Sequence, residues 1–121
     1  MTYVRMRVSP RLRGPAKPID LLVDSGSHYC VLPRGFLSEL GIEPIRRQRF
    51  QLADGRRISR QVGIAYLSFR GRVSATDVIF GGPRDDPLLG VIALEQLGYE
   101  VDPVNRRLRR TRFLLMSARA S

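Results

Sequence analysis

The chain of 121 residues is 43% hydrophobic and carries a formal net charge of +10, from 21 basic and 11 acidic side chains. Its length predicts one domain, and its hydrophobic content excludes an intrinsically disordered chain. No apolar stretch is long enough to cross a bilayer, and residues 1–8 lack the apolar region of a signal peptide. We therefore expect no membrane partner and a cytoplasmic location.

The basic residues are spread along the whole chain, and all except Lys17 are arginine. A basic protein attracts polyanions without sequence specificity. The local clusters at 46–47, 56–57 and 106–110 lack the interleaved aromatic residues on which single-strand binders stack bases. Solvated strand faces are therefore the expected role of the arginines, and binding of nucleic acid is the minor alternative.

The first part of the chain predicts strands joined by short connections. Residues 3–8 alternate apolar and basic side chains, a Pro- and Gly-rich loop follows at 9–18, and 19–23 is nearly continuously apolar, as in a buried strand. A strand at 29–32 precedes a short helix that begins after Pro33 and ends at Gly41.

The second part of the chain predicts a long hairpin, a further strand and a second helix. Strands at 45–52 and 57–69 flank Asp54-Gly55, a strong hairpin signal, and another strand follows at 73–80. A short apolar strand at 88–89 then leads into a helix at 91–97 that stops at Gly98. A terminal hairpin is predicted from 99–101 and 108–114, so that the folded core covers about residues 3–114 before a frayed tail at 117–121.

The most informative motif is Asp24-Ser25-Gly26, which stands between the apolar runs 21–23 and 31–32. A carboxylate at the end of a buried strand is costly unless it is hydrogen-bonded or paired. Gly26 permits a tight turn, and serine hydroxyls can donate hydrogen bonds to a carboxylate. The motif predicts a carboxylate held rigidly at a strand-to-strand turn, and an ordinary Asx turn is the alternative.

Cys30 is the only cysteine and His28 the only histidine, which excludes an intrachain disulfide and makes a metal site improbable. Cys30 is expected to be a small buried hydrophobe. On a strand, residues 28 and 30 would share a face, so a Cys–His nucleophilic dyad is a minor alternative without an orienting group.

The segment 19–33 resembles the active-site loop of retropepsin-like aspartic proteases, Asp-Thr/Ser-Gly-Ala/Ser. Pro87-Leu88-Leu89-Gly90, with the segments 91–98 and 101–108 after it, resembles the hydrophobic-hydrophobic-Gly element and helix of the same family. The resemblance covers roughly residues 19–108. It implies an all-β acid-protease fold with one or two short helices, in which residues 1–121 form one closed β-barrel subunit.

The resemblance further implies an aspartic endopeptidase that is active as a homodimer. The chemistry needs two carboxylates that share a proton, whereas the chain supplies one Asp-Ser-Gly. Asp24 of each subunit would act on a water molecule, with Ser25 in hydrogen bonds across the dimer. The backbone N–H of Gly26 would approach the carboxylate, and Ser27 would bond its outer oxygen or lie close to the peptide substrate.

Two further segments are predicted to contact substrate. The hairpin at 53–55 falls where the family carries a lid, although an ordinary solvent turn is the alternative, and 88–90 would be a buried strand crossing beside the catalytic loop. No cofactor or metal is expected. The predicted substrate-binding residues are Ser27, Ala53, Asp54, Gly55, Leu88, Leu89 and Gly90.

Two further expectations concern assembly and activity. The terminal strands that join viral subunits would here be residues 3–8 and 111–116. The same fold without protease activity, serving as a dimerisation or peptide-binding module, is the alternative function.

Overall fold

In a computed structural model, which describes residues 2–111, the chain forms nine strands and two short helices. The strands are β1 (Tyr3–Ser9), β2 (Lys17–Val23), β3 (Cys30–Pro33), β4 (Arg46–Gln51), β5 (Arg57–Phe69), β6 (Arg72–Gly81), β7 (Leu88–Leu89), β8 (Tyr99–Asp102) and β9 (Arg107–Arg110). The helices are α1 (Arg34–Glu39) and α2 (Val91–Gln96).

Six strands close into a barrel. They pair in the order β1-β2-β7-β3-β6-β5, and β1 also pairs with β5, which completes the ring. Closure depends on the 13-residue strand β5, whose last part pairs with both β6 and β1 while its first part pairs with β4 as a projecting hairpin. The predicted all-β fold with two short helices and a closed barrel is therefore confirmed.

The barrel interior is filled by the alternating apolar side chains of its strands. Met6 and Val8 of β1 are 1% and 0% exposed, and Leu67 of β5 and Phe80 of β6 are equally buried. Each such side chain stabilises the fold by roughly 1.5–3 kcal/mol relative to leaving it in water. The apolar residues in the helices, such as Leu37 and Leu94, belong to the same core.

Both helices end as the sequence predicts. Gly41 follows α1 with φ 78°, and Gly98 follows α2 with φ 90°, backbone conformations that glycine adopts without a steric cost. The limits of most strands differ from the prediction by one or two residues. Strand β2 begins at Lys17, because this residue pairs with Val8, and β3 begins at Cys30.

The prediction that residues 3–8 join two subunits stays a prediction, and within the chain these residues belong to the barrel. Strand β1 pairs with β2 from Tyr3↔Leu22 to Val8↔Lys17, and its end pairs with β5. The alternate side chains of β1 point into the core of its own barrel. The other proposed joining strand, at 111–116, lies outside the described residues except for Thr111. The end of the predicted strand 108–114 and the tail at 117–121 also fall beyond residue 111.

Each helix found in residues 2–111 spans six residues, far too few to cross a bilayer.

Candidate active site

A groove of about 770 Å³ runs between the β4–β5 hairpin and the loop that follows β2. Asp24, Gly26 and Ser27 of this loop line one side of it. The hairpin contributes apolar side chains, among them Phe50 and Ile58. The groove is therefore a concave surface with a carboxylate on one wall and an apolar cover opposite.

Asp24 is fixed by backbone hydrogen bonds at the end of β2. Its own N–H donates to the carbonyl of Leu89 at 3.3 Å, and the N–H of Ser27 donates to the Asp24 carbonyl at 3.1 Å. The N–H of Gly26 donates to Oδ1 of the Asp24 carboxylate at 2.9 Å. This last bond is the one predicted for Gly26, and it fixes the direction of a side chain that is half-buried rather than buried.

Gly90 brings the start of α2 against the same loop. A Cβ at this position would lie 2.5 Å from the carbonyl oxygen of His28 and 2.5 Å from the carbonyl carbon of Tyr29, which are rigid backbone atoms. The N–H of Val91 then donates to the carbonyl of Ser27 at 2.8 Å. Only glycine permits this approach, so Gly90 positions the loop that carries Asp24.

The predicted site residues lie in the groove lining, buried behind the groove, or exposed outside it. Asp24, Gly26, Ser27, Ala53 and Leu88 line the groove. Leu89 and Gly90 are buried behind it, and Ser25 is exposed on the loop without lining the groove. Asp54 and Gly55 form the turn at the tip of the hairpin and also lie outside the groove lining.

Ser27 does not hydrogen-bond the Asp24 carboxylate with its hydroxyl, which was one of the two roles predicted for it. Its Oγ donates to the carbonyl of Tyr29 at 2.8 Å, because the chain turns back on itself at this point. The second predicted position, beside a bound substrate, agrees with its place on the groove wall.

The tip of the β4–β5 hairpin is a turn held by hydrogen bonds of the Asp54 side chain. The carboxylate of Asp54 accepts the N–H of Arg56 at 3.0 Å and its Nε at 2.7 Å. These two bonds, the backbone bond first, lower the pKa of Asp54 below its ordinary value. Gly55 has φ 88°, which suits the Asp-Gly pair that predicted the turn.

Sequence reasoning missed several groove residues that the fold brings together. Phe50 of β4 packs edge-on against Tyr29 with ring centroids 5.4 Å apart, so that the hairpin touches the Asp24 loop. The alternation along β4 and β5 could have placed Phe50 and Ile58 on one face. Arg60 and Asp85, which come from separate segments, carried no such signal.

The Cys–His dyad is excluded by the environment of Cys30. Its side chain is 1% exposed, and its Sγ accepts the N–H of Gly90 at 3.4 Å. Burial raises the pKa of the Cys30 thiol to about 11, against a smaller opposing effect of this hydrogen bond. His28 is exposed on the loop before β3, so the two side chains do not share a face.

Across residues 2–111, no three side chains of the types His, Cys, Asp or Glu are grouped so as to hold a metal ion.

Comparison with known proteins identifies the class to which this fold and loop belong. A family model described as aspartyl protease matches residues 8–92, which is more than half of the chain. The chain belongs to the aspartyl protease family. No curated protein sequence matches it.

Among solved structures, the protease of EIAV complexed with the inhibitor HBY-793 is similar, with a TM-score of 0.64. The alignment covers 84% of this chain and 91% of the viral one at 16% sequence identity. At this identity the likeness shows a common fold, and it confirms the retropepsin-like subunit that the sequence predicts.

Proposed function

We propose that the protein is an aspartic endopeptidase that is active as a homodimer, with Asp24 of each subunit acting on a water molecule. The observation that carries this proposal is the Asp24 carboxylate, held by the Gly26 N–H at 2.9 Å on the wall of a groove large enough for a peptide. Membership of the aspartyl protease family gives the reaction class.

The reaction needs a second carboxylate, and the subunit offers no equivalent one. Asp85 and Asp86 also line the groove, but Asp85 accepts the N–H of Gly82 at 2.8 Å and lies 3.6 Å from the Nε of Arg60. Neither residue stands in a strand-end turn like that of Asp24. A second copy of the chain would therefore supply the partner, with the two Asp24 loops facing each other across a twofold axis.

In such a dimer the two carboxylates share one proton, because two like charges in close contact cannot both ionise. The ionised Asp24 takes a proton from water as it attacks the scissile carbonyl, and the protonated one polarises that carbonyl. The exposed position of Ser25 leaves its hydroxyl available for a hydrogen bond to the second loop. The β4–β5 hairpin covers the peptide and excludes bulk water.

A peptide-cleavage screen with one matched pair of variants tests the proposal. The parent, Asp24→Asn and Asp20→Asn are incubated with a diverse peptide library between about pH 3 and pH 7, where a carboxylate pair titrates. Asp20 lies on β2, the strand that leads into the Asp24 loop, and pairs with Arg5 on the surface, so its substitution is the control for the loss of one carboxylate. We expect Asp24→Asn to lose cleavage by on the order of a thousandfold, while Asp20→Asn cleaves like the parent.

The oligomeric state of each variant, measured by sedimentation velocity, completes the test. Equal cleavage by the parent and Asp24→Asn would refute the carboxylate mechanism. A dimeric parent that cleaves nothing in this pH range would refute protease activity and support a silent peptide-binding module.

A further inference from the structure

One guanidinium group in the groove has fewer hydrogen bonds than it can make. Arg60 of β5 lines the groove, and its side chain is 30% exposed. Its Nη1 donates to the carbonyl of Ser59 at 3.1 Å, but its Nε is buried and, among the described residues, has no hydrogen-bond partner. A guanidinium has five N–H donors, and within residues 2–111 Nη2 also makes no hydrogen bond. The exposed end of the side chain therefore has donors available for an added acceptor.

The nearest carboxylate does not satisfy this donor. Oδ2 of Asp85 lies 3.6 Å from Nε of Arg60, which is an ion pair without a hydrogen bond. The same oxygen accepts the N–H of Gly82 at 2.8 Å, so Asp85 is held by its own loop. Arg60 therefore has a partial counter-charge but still presents unused donors.

Two more arginines line the same groove. They are Arg49 of β4 and Arg84 of the loop before β7, and neither takes part in an ion pair within residues 2–111. Besides Asp24, the opposing carboxylates on the lining are Asp85 and Asp86. Of the described residues, three arginines and three aspartates thus line the groove, so an acidic ligand would be recognised by the position of a particular arginine and not by net charge.

We propose that the groove contains a subsite for an acidic side chain, Glu or Asp, of a bound peptide, with Arg60 as its specificity-determining residue. This inference rests on the proposed peptide-binding function and names its substrate class. The carboxylate would accept the free N–H donors of the guanidinium, an arrangement in which arginine can make two parallel bonds. Phe50, Ile58 and Ile79, which line the same groove, would contact the apolar part of the side chain.

A selection experiment tests the subsite without requiring cleavage. The Asp24→Asn protein is immobilised and equilibrated with a randomised octapeptide library with blocked termini, and the composition of the bound peptides is read by mass spectrometry. We expect enrichment of Glu and Asp over Gln and Asn at one position by roughly tenfold, as for a hydrogen bond to a charged group. Adding Arg60→Gln to this protein should abolish the enrichment, whereas adding Arg60→Lys should keep part of it.

Two further variants separate a binding role from a structural one. Arg57 lies on the same strand, is exposed and does not line the groove, so Arg57→Gln controls for the loss of one positive charge. Asp85→Asn removes the competing charge while keeping an acceptor for Gly82, so the acidic enrichment should increase. If Arg60 only holds the loop through Asp85, the Asp85→Asn substitution should either lower the acidic enrichment or leave it unchanged.

The outcomes of this selection and of the cleavage screen are independent. Equal enrichment of acidic and amide residues, no peptide binding, or an enrichment that survives Arg60→Gln would overturn the subsite. An enrichment lost equally in Arg57→Gln would also overturn it, because general charge would then explain it. Acidic enrichment by a protein whose parent cleaves nothing would retain the subsite and reject the protease.

Discussion

At the residue scale, the position of the Asp24 loop depends on a glycine that touches no substrate. Gly90 lies behind the groove, and its missing side chain allows α2 to begin directly against the backbone of residues 28–29. Both the loop carbonyls and the helix start are backbone groups, so neither can move without the other. Gly90 is therefore explained by packing, whereas Leu88 of the same motif lines the groove.

Gly90→Ala should both destabilise the subunit and displace Asp24. The added Cβ would lie 2.5 Å from backbone atoms of His28 and Tyr29, which cannot rotate away, so we expect a loss of about 3 kcal/mol or more in the free energy of unfolding. Chemical denaturation measures this loss. Gly35→Ala, in α1 with open space around it, is the control and should be neutral or slightly stabilising. Equal stability of Gly90→Ala and the parent would contradict the close approach.

Cys30 should be inert to alkylation while the protein is folded. With its thiol pKa raised from 9.0 to about 11, the thiolate fraction at neutral pH falls by about a hundredfold, and burial further hinders access. We expect iodoacetamide to modify the folded protein at least about a hundredfold more slowly than the protein in concentrated guanidinium. Comparable rates in both states would contradict the buried thiol.

The raised pKa of the Cys30 thiol also makes the free energy of unfolding depend on pH. The folded state retains the proton more strongly than the unfolded state, so this contribution is complete below about pH 9 and is lost as pH rises through about 11.

At the element scale, the β4–β5 hairpin has two different attachments. Its base is held by the hydrogen bonds of the β4–β5 register and by an ion pair of 2.7 Å between Arg46 and Asp77. Over the groove, the hairpin makes the edge-on packing of Phe50 against Tyr29 and the 3.6 Å ion pair of Arg60 with Asp85. The base of the hairpin is thus fixed by backbone hydrogen bonds, whereas the part over the groove is held by side-chain contacts. This arrangement is expected of a lid.

Phe50→Ala should release the hairpin from the Asp24 loop without unfolding the barrel. The lost aromatic contact is the one that ties β4 to Tyr29, so amide hydrogen exchange in residues 46–58 should become faster while exchange in β1 and β6 is unchanged. Ile45→Ala removes an exposed apolar side chain at the start of the same hairpin and serves as the control. An unchanged exchange rate across the hairpin in Phe50→Ala would show that the aromatic pair does not hold it.

At the scale of the whole molecule, the subunit presents half of the proposed catalytic apparatus. Asp24 is half-buried, and Ser25 and Gly26 are exposed. A single barrel would leave the carboxylate without the partner that aspartic proteolysis needs. The prediction at this scale therefore concerns subunit mixing.

Mixing parent subunits with Asp24→Asn subunits should reduce the activity more steeply than in proportion to the fraction of parent subunits. If each active dimer needs two Asp24 residues, activity at constant total protein follows the square of the parent fraction, so an equal mixture retains about one quarter. Peptide cleavage after exchange of subunits measures this curve. Mixing with Asp20→Asn should leave the activity unchanged, and a linear decrease with Asp24→Asn would mean that one carboxylate suffices.

The sequence by itself determined the elements and the class of the protein. Alternation in the strands, the glycines that stop both helices and the Asp54-Gly55 turn are local properties, so residues a few positions apart specify them. The motif at residues 24–26 and the element at residues 88–90 likewise carry their meaning in short segments. These short segments are sufficient to predict the barrel subunit and its aspartyl protease family.

Only the tertiary structure decided which side chains share the groove and which face inward. Arg60 and Asp85 are 25 residues apart and meet because β5 and the loop before β7 fold over the same cavity, which no local pattern encodes. The partners of β1 were likewise set by barrel closure, because a strand's hydrogen-bonding neighbour depends on pairing between distant segments. Local sequence fixes the conformation of a segment, whereas long-range packing determines what that segment touches.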